Sequence, residues 1–163
     1  MKITCTLSSQ SLAAAAKQLR QYAASLEKKS EQLVENLGKA GVEYANMYLK
    51  HDDTGETRNS IQFNRDVNIG VLSVGGAAVW IEFGTGVLAN AGNPPHPKRD
   101  EVGAVGWGEY GHGYGVDIWE FPSKRYGKWL PTAGIPMNPF MYETSQSLRF
   151  VLTDFAKEVF KTL

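Results

Sequence analysis

A seven-residue repeat of apolar side chains over residues 12–49 is the feature that most constrains the fold of this chain. One row of the repeat holds Leu12, Leu19, Leu26, Leu33, Ala40 and Met47, and a second row, four positions later, holds Ala16, Ala23, Ser30, Leu37 and Tyr44. This spacing predicts a long helix with one apolar stripe, which is either a coiled-coil seam or a face packed on its own domain. Gly38 and Gly41 weaken the second half and predict a kink or a break into two helices.

The composition bounds the class of protein. A length of 163 residues predicts one domain over residues 1–163. Lys plus Arg and Asp plus Glu both number 17, and this balance argues against a sequence-independent nucleic-acid binder, which needs a basic excess. The single Cys5 excludes an internal disulfide. Apolar runs are too short for a membrane span, and the N-terminus lacks signal-peptide features, so we expect a soluble protein made in a cytoplasm.

Short elements follow the long helix. The alternation near residues 60–66 and 70–76 predicts a hairpin of two strands, and residues 77–83 predict a short helix that stops at Gly84. Two further strands are expected at 118–121 and 128–131, around a turn at 122–127.

The end of the chain predicts a last helix with one apolar face. Asn138 is expected to cap it and Pro139 to occupy its first position. A weak alternation at residues 1–7 indicates a possible further strand. The expected class is therefore α+β, with a small, mostly antiparallel sheet packed against a long N-terminal helix and a C-terminal helix.

Residues 87–116 carry glycine and proline without an apolar period, which predicts a long flexible loop. Within it, residues 94–99 are expected to form a stiff, extended, basic piece. Four side chains are candidates for partner binding because aromatic residues are common at interfaces. They are Trp107, Tyr110, His112 and Tyr114.

Glu82 is the most informative single carboxylate, because it lies between Ile81 and Phe83 in an apolar run. A buried carboxylate is costly unless it accepts hydrogen bonds, so Glu82 is expected to meet backbone N–H groups or Arg58. The alternative is a small hydrolase that uses Glu82 as an acid together with Asp117 or Glu120.

No other pattern predicts chemistry. Residues 84–89 fit a G-x-G-x-x-A nucleotide fingerprint, but Pro94 and Pro95 follow too soon for the required helix. The three histidines lack metal-ligand spacing. We therefore expect no catalytic residue, no cofactor, no metal and no small-molecule substrate.

Three segments, in order, resemble one family, the tail-component or tail-completion proteins of long-tailed bacteriophages. Residues 53–61, DTGETRNSI, are similar to its DTG-x-L-R-x-S-I segment, with Thr57 in place of the usual leucine. Residues 78–86, AVWIEFGTG, resemble its YA-x-Y-V-E-F-G-T segment, and residues 134–141, GIPMNPFM, its late G-x-x-x-x-P-F-L segment. The positions that carry the resemblance are Asp53, Thr54, Gly55, Arg58, Ser60, Trp80, Glu82, Phe83, Gly84, Thr85, Pro139 and Phe140.

The resemblance implies a non-enzymatic virion protein of the tail or neck. Such a protein forms a ring, expected to have six copies, between the head-closure or connector proteins and the tail tube or tail terminator. A tail-terminator role is the structural alternative. The resemblance implies no membrane partner and no specific nucleic-acid binding.

Overall fold

The computed structural model describes residue 6 and residues 8–50, 52–86, 88–89, 96–102 and 118–161. Two predicted segments lie mostly outside these residues, the strand at 1–7 and the loop at 87–116. The four aromatic candidates of the loop also lie outside them: Trp107, Tyr110, His112 and Tyr114. Four helices are described, α1 (Ser9–Tyr48), α2 (Glu56–Asn59), α3 (Ala78–Phe83) and α4 (Phe140–Phe160). The strands are β1 (Gln62–Asp66), β2 (Ile69–Ser73), β3 (Thr85–Gly86), β4 (Trp119–Ser123), β5 (Lys128–Thr132) and β6 (Gly134–Ile135). The predicted α+β class is confirmed.

Helix α1 runs unbroken from Ser9 to Tyr48, so the expected break into two helices at its glycines is wrong. The Ser8 hydroxyl caps its start by accepting the backbone N–H of Ser11. Gly38 serves packing instead, because a Cβ there would lie 2.2 Å from Cζ of Phe63 on β1. The missing side chain lets an aromatic ring sit directly on the helix backbone.

Helix α4 packs antiparallel on the C-terminal half of α1. Tyr48 and Ser147 share a hydrogen bond of 2.8 Å near one end of this contact. At the other end the ammonium of Lys29 donates to the carbonyl of Val159. The rest of α1, residues 9–28, contains no buried residue. We call this segment the arm.

The core lies where the C-terminal end of α1 meets α3 and the start of α4. Its buried apolar side chains are Ala45, Leu49, Ile61, Ala78, Ile81 and Phe140. Phe140 is fully buried and is the first residue of α4. The two halves of the predicted apolar stripe therefore differ. The second half packs against α4 and the β1–β2 hairpin, whereas the first half contains no buried residue.

The strands of the described residues form three separate antiparallel pairs and not one sheet, which corrects the expectation of a single small sheet. In the β1–β2 hairpin, Phe63 lies opposite Leu72 and Asp66 opposite Ile69. Strands β3 and β6 form a pair of two residues each. In the β4–β5 hairpin, Phe121 lies opposite Leu130.

Two exposed ion pairs connect the β4–β5 hairpin to α2 and to the loop before it. Arg125 pairs with Asp53, and Lys124 with Glu56. The hydrogen bond to Asp53, followed by the charges of Tyr126 and Asp53, raises the pKa of the Arg125 guanidinium. Exposed pairs of this kind contribute little to stability, so this hairpin is weakly attached.

Candidate functional site

Glu82 on α3 closes the N-terminus of α4. Its Oε2 accepts the backbone N–H of Met141 at 2.8 Å, and its Oε1 accepts that of Tyr142 at 2.9 Å. The residue is 7% exposed. A carboxylate at this position satisfies two of the N–H groups that a helix start leaves unpaired, and its charge complements the helix dipole. The expectation that Glu82 meets backbone N–H groups is confirmed.

The third partner of Glu82 is His96, which the sequence did not single out. The backbone N–H of Lys98 donates to Nδ1 of His96 at 3.0 Å. This bond leaves the ring proton on Nε2, which donates to Oε1 of Glu82 at 2.9 Å. The ring packs against Phe83 at a centroid distance of 4.4 Å and edge-on against Tyr142 at 5.4 Å.

The position of His96 also corrects the expected extended piece at residues 94–99. Residues 97–102 form turns, in which the N–H of Arg99 donates to the carbonyl of His96 at 3.0 Å. The buried imidazole anchors these turns on the core.

Arg58 does not pair with Glu82, and that expectation is wrong. Its guanidinium donates to the carbonyl of Asn46 at 2.6 Å and to that of Leu49 at 2.8 Å. These are carbonyls of the last turn of α1, which contains no basic residue of its own. Arg58 therefore supplies the cation that the C-terminal end of a helix favours.

The sequence predicted that Asn138 caps α4, and this prediction is wrong. Asn138 instead binds backbone groups at the C-terminal end of α1. Its Oδ1 accepts the N–H of Lys50 at 2.7 Å, and its Nδ2 donates to the carbonyl of Tyr48 at 3.1 Å. Its own N–H donates to the carbonyl of Ile81 at 2.9 Å. Pro139 is the residue before α4, one position earlier than predicted.

The other residues of the family-like segments shape the loops around this point. Gly55 has a φ of 75°, which favours glycine. The carboxylate that accepts the N–H groups of Thr57 and Arg58 at the start of α2 is that of Asp52, which lies outside the family-like segment. The hydroxyl of Thr54 accepts the N–H of Glu56 at 3.3 Å.

Two further positions link neighbouring segments. Ser60 donates to Thr57 O and accepts the N–H of Gly75, which joins α2 to the segment before α3. Thr85 pairs with Ile135 in the β3–β6 ladder, and Trp80 is partly exposed on α3.

Gly84 ends α3 as predicted, and its conformation requires glycine. Its φ is 72°, and a Cβ would lie 2.8 Å from the carbonyl oxygen of Ile135 and the nitrogen of Met137. The third family-like segment thus packs directly on the backbone of the second. The three segments form one structure, which we call the helix joint: Arg58, Glu82 and Asn138 with the helix ends that they close, together with His96, which bonds Glu82.

A cavity of about 390 Å³ lies beside the helix joint, between α3 and α4. Glu82 and His96 line it together with mostly apolar surface, and Lys98 and Arg149 also contribute. Both oxygens of Glu82 already accept hydrogen bonds, so the cavity presents an apolar wall and not an open carboxylate. Glu120 does not line it, and Asp117 lies outside the described residues, so the acid pair of the hydrolase alternative is not assembled by the described part.

Apolar side chains are exposed on several separate faces. Leu12 and Leu19 on the arm are 48% and 55% exposed. Ile69 of the β1–β2 hairpin, Trp129 of the β4–β5 hairpin and Phe150 on α4 reach 66%, 63% and 85%. These side chains are accessible to a binding partner, although single exposed apolar residues are also common on protein surfaces.

Within the described residues, no group of three or more His, Cys, Asp or Glu side chains could hold a metal ion. Among the helices described, none has an apolar stretch long enough to cross a membrane. Comparisons with protein-family models, with curated proteins and with solved structures found no match to this chain.

Proposed function

We propose that this chain is a structural protein of a tailed bacteriophage or prophage virion, a tail-completion subunit that joins heads to tails by assembling into a ring. One observation carries the proposal. The three segments that resemble the tail-completion family meet in the helix joint, where Arg58, Glu82 and Asn138 each close a helix end. These residues are thus needed for the shape of the subunit and require no reaction to account for them.

The exposed surfaces support an assembling role. A closed ring needs two different patches on each subunit, because each copy contacts its neighbours head to tail. Helix α4 and the β4–β5 hairpin offer apolar side chains on different elements, as Phe150 and Trp129 illustrate. The expected ring has six copies, with head-closure or connector proteins on one side and the tail tube or tail terminator on the other.

Deletion of the coding sequence from the phage that carries it tests the role. We expect DNA-filled heads and complete tails that remain unjoined in electron micrographs, and infectivity restored by the protein supplied in trans. Overlong tails would assign the tail-terminator role instead. Normal joined particles at normal titre would contradict both structural roles. Gold-labelled antibody should bind at the neck of intact virions.

A hydrolase is the second candidate, because Glu82 and His96 share a hydrogen bond beside a cavity. Glu82→Gln separates the two functions when the protein is kept below its melting temperature and its folded fraction is measured by circular dichroism. A structural subunit with this change still restores infectivity to the deletion phage. A hydrolase that depends on the Glu82 carboxylate does not.

A further inference from the structure

The arm carries large and small side chains in strict alternation along its exposed stripe. Leu12, Leu19 and Leu26 form one row, and Ser9, Ala16 and Ala23 form the other. The two leucines nearest the start are about half exposed, and no residue of the arm is buried. In the second half of α1 this alternation is lost, because the small row holds Leu37 and Tyr44 and the leucine row holds Ala40, and there α4 of the same chain packs against the helix. The strict alternation is therefore confined to the part of α1 that contains no buried residue.

The alternation determines how two such arms fit. In a parallel pair, like positions meet, so layers of two leucines alternate with layers of two alanines. The leucine layers then hold the axes apart and leave voids at the alanine layers, which is costly. In an antiparallel pair, the two kinds of position meet each other, so every layer holds one leucine and one small residue and the axes approach evenly.

One antiparallel register uses only the exposed arm. Leu12 of one copy packs on Ala23 of the second copy, Leu19 on Ala16 of the second copy, and Leu26 on Ser9 of the second copy. The twofold axis repeats these contacts, which gives six layers over residues 9–26, or about 27 Å of helix. A shift by one repeat in one direction would push the second arm onto the end of α4, where Lys29 meets Val159. A shift by one repeat in the other direction would keep only four of the six layers.

We propose that two copies of this chain pair through their arms, antiparallel, in this register. The proposal goes beyond ring assembly, because an antiparallel pair is an isologous contact that a single ring of head-to-tail contacts does not contain. Five turns of two helices that meet through leucine, alanine and serine bury on the order of 1,000 Å² of surface. This area is at the low end of specific protein–protein interfaces, so we expect the pair to be reversible. Lys17 and Lys28 fall outside the stripe.

Sedimentation velocity of the purified full chain, from about 1 to 500 µM, tests the pairing. We expect a monomer–dimer equilibrium in this range. Leu12→Ser with Leu19→Ser should weaken the dimer by at least 100-fold and leave the melting temperature unchanged, because both side chains are half exposed. The matched control is Ala14→Ser with Gln21→Ser, which changes exposed residues on the opposite face of the arm and should leave the equilibrium unaltered.

Spin labels test the orientation, after Cys5→Ser removes the native thiol. With a label at Gln10, an antiparallel pair in this register separates the two labels by roughly 25 Å, since 15 residues at 1.5 Å each lie between position 10 and its opposite. A parallel pair brings them within about 10–15 Å. A label at Gln18 lies near the twofold axis and should be close to its mate in either case.

A chain that stays monomeric throughout, association of any size that persists in the leucine variant, or closely spaced labels at Gln10 would each overturn the proposal. These measurements use the purified protein alone, so their failure leaves the head-to-tail role, which the deletion phage tests, unaffected.

Discussion

At the scale of single residues, Glu82 connects parts of the chain that are distant in sequence. One carboxylate accepts hydrogen bonds from His96 and from the backbone N–H groups of Met141 and Tyr142. Hydrogen bonds to charged groups contribute about 1.5–3 kcal/mol each, and a buried donor that loses its acceptor costs a comparable amount. Glu82 therefore links three segments that are distant in sequence, and it does so without facing solvent.

Replacement of Glu82 should lower stability in proportion to the bonds lost. Glu82→Ala removes all three and should cost about 3–5 kcal/mol, which at this chain length lowers the melting temperature by about 6–20 °C. Glu82→Gln keeps one oxygen and should cost less than half as much. Differential scanning calorimetry measures both.

The control for this comparison is Glu101→Ala. Glu101 is an exposed carboxylate that pairs with the exposed Lys98, and its loss should shift the melting temperature by less than about 3 °C. Equal melting temperatures for Glu82→Ala and the parent chain would show that the three hydrogen bonds do not stabilise the fold.

At the scale of elements, local sequence predicted what local forces determine. The β1–β2 hairpin, the stop of α3 at Gly84 and the β4–β5 hairpin all lie within a few residues of their expected places, because alternation and turn residues act over short spans. Partners from distant parts of the chain were not predictable in this way. His96 reaches Glu82 across 14 residues, and Asn138 reaches Lys50 across 88.

The two wrong assignments in the helix joint share a cause. Asparagine before a helix commonly caps the start of that helix, so Asn138 was predicted to cap α4. Arg58 was predicted to pair with Glu82 because the two side chains carry opposite charges. In the fold, both side chains instead meet the unpaired carbonyls at the end of α1. The sequence did contain one signal for this. The last turn of α1 has no basic residue and no glycine follows it at Leu49, so its free carbonyls need hydrogen-bond donors from other parts of the chain.

Gly38 and Gly41 on α1 give a matched test of packing against helix propensity. Alanine favours a helix interior by about 1 kcal/mol over glycine. At Gly38, however, its Cβ would lie 2.2 Å from the Phe63 ring, whereas at Gly41 the nearest atom is Cδ1 of Leu148 at 3.3 Å. We expect Gly38→Ala to lower the free energy of unfolding by about 2 kcal/mol, and Gly41→Ala to change it by less than about 1 kcal/mol.

Urea unfolding at 25 °C measures both variants. Phe63→Leu should recover part of the loss in Gly38→Ala, because the smaller side chain gives the new methyl group room. If the two glycine variants were equally stable, the contact between α1 and the β1–β2 hairpin would be looser than described.

At the scale of the whole molecule, stability is concentrated at one end. The core, the helix joint and the α1–α4 contact all lie around the C-terminal half of α1, while the arm extends from the other half with no buried residue. Helices of about 20 residues without packing partners are marginal in water. The molecule thus combines a packed core with an arm whose helical order depends on contacts with another molecule.

Amide hydrogen exchange should separate these two parts. In the monomer, we expect the amides of residues 12–26 to exchange at least 100-fold faster than those of residues 40–48, which lie in the packed half of α1. Mass spectrometry of the peptic peptides measures both. At a protein concentration that favours arm pairing, exchange in the arm should slow while residues 40–48 stay unchanged. Uniform protection of α1 in dilute protein would contradict this division.

The late position of Asn138 in the sequence has a consequence for synthesis. The last turn of α1 ends at Tyr48, but the amide that binds its carbonyl is made 90 residues later. At 5–20 residues per second, translation of that stretch takes roughly 4 to 18 s. During this time the nascent chain has Arg58 and the β1–β2 hairpin but neither α4 nor the full closure of α1. Prematurely terminated products therefore cannot complete the core around the end of α1.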